Sequence, residues 1–98
     1  MTYNISLDAY APVISEQVKA EEILQTIKDC KPSENIVVID FSKIVSMTTT
    51  SAKLIFGEFY KTLGPTSFAE HIVFSNVSDD VYYIIKLGIK HYISTFGF

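Results

Sequence analysis

The sequence predicts a small α/β domain, ordered β-α-β-α-β-α, with a mixed or largely parallel sheet of three to four strands covered by helices. One of two readings of the C-terminal tail adds the fourth strand. Three observations carry this. The run Ile36-Val37-Val38-Ile39 is apolar and β-branched without interruption, which suits a central strand covered on both faces. Short apolar or alternating runs interleave with helical periodicity, and such alternation implies crossover connections in a parallel sheet. Finally, 98 residues with 48% hydrophobic and 19% charged content describe one globular domain, residues 1–98, and not a disordered chain.

The elements follow in order. Tyr3, Ile5 and Leu7 alternate with polar residues, as on the buried face of a half-exposed strand. Asp8 to Pro12 reads as a loop. Ser15 is the candidate cap of a first helix whose apolar face is Ala20, Ile23, Leu24 and Ile27, at helical spacing. Lys31-Pro32 breaks it, because the residue before proline avoids helical geometry. Ile36 to Phe41 is the central strand, and Ile44 to Met47 is either extended chain or loop. A second helix begins near Thr50, with Ala52, Ile55, Phe56, Phe59 and Leu63 on one face. Gly64-Pro65 marks its end, and Thr66 to Glu70 a loop. His71 to Ser75 is a strand. Ser78 or Asn76 caps a third helix that opens with Asp79 and Asp80, where the helix dipole favours acids. Val81, Ile84 and Ile85 face its core, and Gly88 is a candidate terminus. Tyr92 to Phe96 is then a short last strand or a helical extension.

A formal net charge of −3, with eight scattered Lys and Arg, lacks the basic patch of a phosphate-backbone binder, so nucleic acid is not an expected partner. The single cysteine, Cys30, fits a reducing compartment. No apolar run approaches the roughly 18 residues of a membrane span, and the first ten residues lack signal-peptide character, so the expected location is cytoplasmic. A mean hydropathy of +0.25, and the tension between a fully apolar central strand and too few helices to cover both its faces, point to an apolar surface that a partner or second copy covers.

Catalytic patterns are missing from the sequence. His71 and His91 have no Cys or His at metal-ligand spacing, and no nucleophile elbow, phosphate loop or dinucleotide loop occurs. Neither a metal nor a cofactor is expected. Cys30 has Lys28 and Lys31 nearby, an arrangement that lowers a thiol pKa. Asp40 ends the central strand, where open parallel sheets place ligands; its plainer role is to accept backbone hydrogen bonds in the following turn. The sharpest feature is Thr48-Thr49-Thr50-Ser51 at a helix start. One hydroxyl there must cap the helix. Four in a row exceed that need, and a phosphate is welcome at a helix N-terminus.

The segment Asp40-Phe41-Ser42-Lys43-Ile44-Val45-Ser46-Met47-Thr48-Thr49-Thr50-Ser51-Ala52 resembles the signature of STAS domains, the anti-sigma-factor-antagonist fold, in which a strand ending Asp-Leu-Ser leads to Met-Asp-Ser-Ser-Gly at a helix start. More closely, Asp40-Phe41, Thr48 to Thr50, Ala52 and Phe56-Gly57 resemble a bacterial STAS-like family of uncharacterised function. Thr48 stands where the antagonists carry an acid, Thr50 where they carry the phosphoserine, and Ser51 where they carry glycine. Glu16-Gln17-Val18-Lys19 lacks the arginine found near the first helix of many STAS-like members.

The resemblance implies a non-catalytic regulatory module that docks a protein partner, often a histidine-kinase-like ATPase. The expected docking region is the helix start at 48–53. Thr48, Thr49, Thr50 and Ser51 are the candidates for phosphorylation or contact, and Asp40, Ala52, Lys53 and Phe56 for partner binding. Two alternatives stand beside it: an anion- or nucleotide-binding domain using the same helix N-terminus, and a structural homo-oligomer, such as a homodimer, using the aromatic tail Tyr92, Phe96 and Phe98 or an open sheet edge.

Overall fold

A computed structural model of the chain describes residues 1–96, apart from the Phe96 side chain. The tail residue Phe98 therefore lies outside the described residues. The elements are β1 (Thr2–Ser6), a 3-10 turn (Asp8–Tyr10), β2 (Val13–Ile14), α1 (Gln17–Asp29), β3 (Ile36–Asp40), β4 (Ser46–Met47), α2 (Thr49–His71), β5 (Ile72–Ser75) and α3 (Asp79–Phe96).

The main sheet has the order β1-β3-β5, all parallel. α1 makes the crossover from β1 to β3, and α2 the crossover from β3 to β5. Crossovers are right-handed almost without exception, and these two advance in the same direction across the sheet, so both helices fall on one face. Burial agrees. Pairing aligns Tyr3, Val37 and Ile72, and then Ile5, Ile39 and Phe74. Val37, Ile39 and Ile72 are buried in that set. They meet Ile23 and Ile27 of α1, Ile55 and Phe56 of α2, and Val81 and Ile85 of α3 in a single core. The opposite face carries Ile36 at 40% exposure and Val73 at 38%, with Val38 half-buried. The expectation of a central strand covered on both faces is thus corrected. β3 is central, but helices cover one side of it.

A second, two-stranded parallel sheet pairs Val13 with Ser46 and Ile14 with Met47. Ile14 and Met47 are core residues. The expected loop at Asp8 to Pro12 holds the 3-10 turn and leads into β2, and the ambiguous Ile44 to Met47 ends in β4. The ladder runs on into the helix start, where the Thr48 N–H donates to the Ile14 carbonyl at 3.0 Å.

Three helix boundaries differ from expectation. Glu16, not Ser15, is the N-cap of α1, and its side chain makes no cap hydrogen bond. In α2, Gly64 is non-helical at φ 83°, ψ 162°, but helix resumes from Pro65, so Thr66 to Glu70 is helical and not a loop. Proline suits the first position of the resumed segment, where its missing N–H would be unsatisfied anyway. In α3, Gly88 lies mid-helix, and Tyr92 to Phe96 is helix and not strand. Ser78 caps α3, its hydroxyl accepting from the Val81 N–H at 3.2 Å.

Candidate functional site

The four hydroxyls at the start of α2 are not equivalent. Thr48 is the N-cap, in extended geometry. Its Oγ1 accepts from the Ser51 N–H at 3.1 Å and donates to Ser51 Oγ at 2.9 Å. Ser51 is 3% exposed. Those two side chains close the helix end against the core, satisfying a donor that the helix itself cannot. Thr49 is half-buried and Thr50 is exposed. Thr48 is exposed too, but its hydroxyl is engaged with Ser51, so the exposed hydroxyl outside the cap is that of Thr50.

The candidate contact residues divide in the same way. Ala52 and Phe56 are fully buried. Phe56 packs edge-on against Phe74 with ring centroids 5.3 Å apart, and Phe41 lies 6.5 Å away. Both residues belong to the core and have no surface to offer a partner. Their helical spacing made them look like one face, and that face is the inward one. Lys53 is half-buried, its Nζ donating to Thr95 Oγ1 of α3 at 3.3 Å.

Asp40 fulfils its plainer role and adds to it. Its Oδ1 accepts from the Ser42 N–H at 3.0 Å and from Asn76 Nδ2 at 3.1 Å, and its Oδ2 accepts from Ser42 Oγ at 3.2 Å. The carboxylate thus ties the turn after β3 to the turn after β5. Hydrogen bonds from Asn76 first, and then Ser42, hold its pKa below the ordinary value. Asn76 sits at φ 55°, a left-handed conformation that Asn tolerates better than most residues. Asn76-Val77-Ser78 was readable as a turn, but no sequence signal pairs Asn76 with Asp40, 36 positions away.

Among the described residues, no group of three or more His, Cys, Asp or Glu could hold a metal. His71 Nδ1 lies 2.7 Å from the Pro32 carbonyl, and His91 is exposed on α3. The Cys30 thiol pKa is raised, by burial first and the neighbouring Asp29 second. This reverses the direction expected from Lys28 and Lys31, whose positions on the chain do not bring their charge to the sulfur strongly enough to offset burial. Among the described residues, no helix is long and apolar enough to cross a membrane.

A family model described as a STAS-like domain of unknown function (DUF4325) matches residues 19–82. The chain belongs to that family. No curated protein and no solved structure matched it. The matched span of this STAS-like domain runs from the start of α1 to the first turn of α3. It contains both Asp40 and the Thr48 to Lys53 helix start, so the two candidate features lie within the part that defines the family.

Proposed function

We propose that this STAS-like domain is a non-catalytic regulatory module that docks a protein partner at the first turn of α2, and that phosphorylation of Thr50 weakens docking. Family membership fits a regulatory module. The observation that carries the site is the division of labour among the hydroxyls. Thr48 and Ser51 are consumed in closing the helix end, whereas Thr50 is exposed and does no structural work of that kind. A phosphate at Thr50 would sit in the first helical turn, where the dipole stabilises it. The fold would tolerate the charge, while an acidic partner surface would be repelled by it. A histidine-kinase-like ATPase is the proposed class of partner, by analogy with the fold family.

The test is a titration against a partner recovered by crosslinking from the native cell. Thr50→Ala should bind as the unmodified protein does. Thr50→Asp should bind roughly tenfold or more weakly, the scale of a like-charge contact at an interface. Equal affinities for the two variants would remove Thr50 from the interface. A midpoint raised by ATP or inorganic phosphate in a thermal-shift series, and lost in Thr50→Asp, would instead favour an anion site.

A further inference from the structure

A surface separate from the α2 start carries a second binding reading. An open groove of 850 Å³ runs between β5, the second half of α2 and one side of α3. Its apolar floor includes Phe68, Ile72, Phe74 and Ile85, and the charged residues lining it are Lys86 and Lys90. Among the described residues no acid lines it, although the chain as a whole has a net charge of −3. Lys86 lies over the Tyr82 ring at 5.0 Å. Lys86 and Lys90 stand one helical turn apart, so they form a local cationic rim beside apolar surface.

The groove follows an unpaired strand edge. Among the described residues, β5 pairs with β3 alone. The Ser75 carbonyl accepts from the Phe41 N–H at 2.9 Å. Parallel pairing alternates which residues bond a given neighbour, so Ser75 and Val73 turn toward β3, and Ile72 and Phe74 turn their main chain outward. The Ile72 N–H is taken by the Phe68 carbonyl. The Phe74 N–H and the carbonyls of Ile72 and Phe74 are then the groups an added strand would meet. Val73 also lines the groove, although its side chain belongs to the opposite sheet face. The groove therefore runs along the strand edge itself, which suits an extended partner.

We infer that the β5 edge and the α3 rim bind an extended acidic peptide segment, which adds a strand beside β5, places apolar side chains against Ile72 and Phe74, and sets carboxylates against Lys86 and Lys90. Main-chain bonds along a sheet edge supply generic affinity and the pockets supply selectivity. The paired lysines select the charge. An acyl chain with an anionic head would satisfy the floor and the rim but would leave the strand edge unused. A second copy would bring the same lysines against each other across a two-fold axis.

The test is a selection of random decapeptides displayed on phage against the full chain, followed by fluorescence anisotropy of labelled synthetic hits and amide exchange by NMR. Hits should alternate apolar residues and carry Asp or Glu. They should protect the Phe74 amide, and lose at least tenfold in affinity against Lys86→Glu/Lys90→Glu. The milder Lys86→Gln/Lys90→Gln pair should fall between, and both lysines are exposed, so matching melting curves would verify the fold. Thr50→Asp should leave peptide binding unchanged, which separates this surface from the α2 start. The inference is overturned by selection of no acidic sequences, by hits indifferent to lysine reversal, by displacement of hits with palmitate, or by a Phe74 amide already protected in a dimer of the free chain.

Discussion

Gly88 of α3 lies directly against the backbone of Ala52 and Lys53 in α2. A methyl group there would stand 2.6 Å from the Lys53 nitrogen and 2.7 Å from the Ala52 Cβ. Gly57 of α2 likewise receives the Tyr92 side chain at its root. These pairs advance together along both helices, so α2 and α3 run in the same direction and nearly in backbone contact. The candidate docking turn is therefore braced from behind by the C-terminal half of α3, a brace that Lys53 to Thr95 extends.

Gly88→Ala sets two effects against each other. Alanine gains about 1 kcal/mol in helix propensity. The clash is with backbone and with a Cβ, neither of which can rotate away, and overpacking of this kind costs about 1–3 kcal/mol or more. Because the contact is well inside van der Waals distance, the clash should win. The expected result is a fall in melting temperature of several degrees, at roughly 4–8 °C per kcal/mol for a domain of this size. A variant at least as stable as the parent in urea titration would show that the helices can separate freely.

At the start of α2, stability and docking should come apart. Thr48→Ala removes the cap and leaves the buried Ser51 hydroxyl without its Thr48 partner, at an expected cost of about 1–2 kcal/mol. Thr50→Asp puts a negative charge in the first turn and should be neutral or stabilising by up to about 1 kcal/mol. Denaturant midpoints of the two variants check this. A Thr50→Asp variant as unstable as Thr48→Ala would mean that the Thr50 site belongs to the fold.

Phe56→Ala should report on folding and not on recognition. The ring is fully buried and meets Phe41 and Phe74. Such truncations cost about 3–5 kcal/mol, a large part of the stability of a small domain. Far-UV circular dichroism with heating should show early unfolding. A folded, stable variant with only a binding defect would return Phe56 to the interface.

The Asp40 bracket predicts a response to acid. The Asp40 pKa is lowered in the fold, so its contribution is present above the unfolded carboxylate value of about 4 and is lost as pH falls through the lower folded value. Asp40→Asn should therefore be less stable than the parent at pH 7, and the gap should narrow below about pH 4. Asn76→Gly keeps the left-handed turn accessible and removes the first bond, so it should flatten the same acid-side slope. Melts at pH 7 and pH 3 test both variants, and a pH-independent gap for Asp40→Asn would contradict the assignment.

Much was legible in the sequence where the physics is local. The inward face of α2 follows from helical spacing, and Ala52, Ile55, Phe56 and Phe59 are all buried. The Asp40 turn, the acids opening α3 and the central place of β3 follow from turn chemistry, the helix dipole and β-branched composition. Two-residue strands such as β2 and β4 were not legible, because two residues establish no period. Gly64 and Gly88 both looked like helix ends. One is a break after which Pro65 restarts the helix, and the other is a point of close helix contact.

Residue pattern and spacing by themselves determined the order of the three main strands and three helices, the core face of each helix and the location of the hydroxyl cluster. Only the tertiary structure decided what those features do. Strand order placed α1 and α2 on one side of the sheet and left Ile36 and Val73 exposed on the other. Packing buried Ser51 and left Thr50 outward, and it made Gly88 a contact with Ala52. It also set Lys86 and Lys90 beside the free edge of β5. Each of these depends on distance between segments far apart in the chain, whereas propensity, periodicity and capping act over a turn or two.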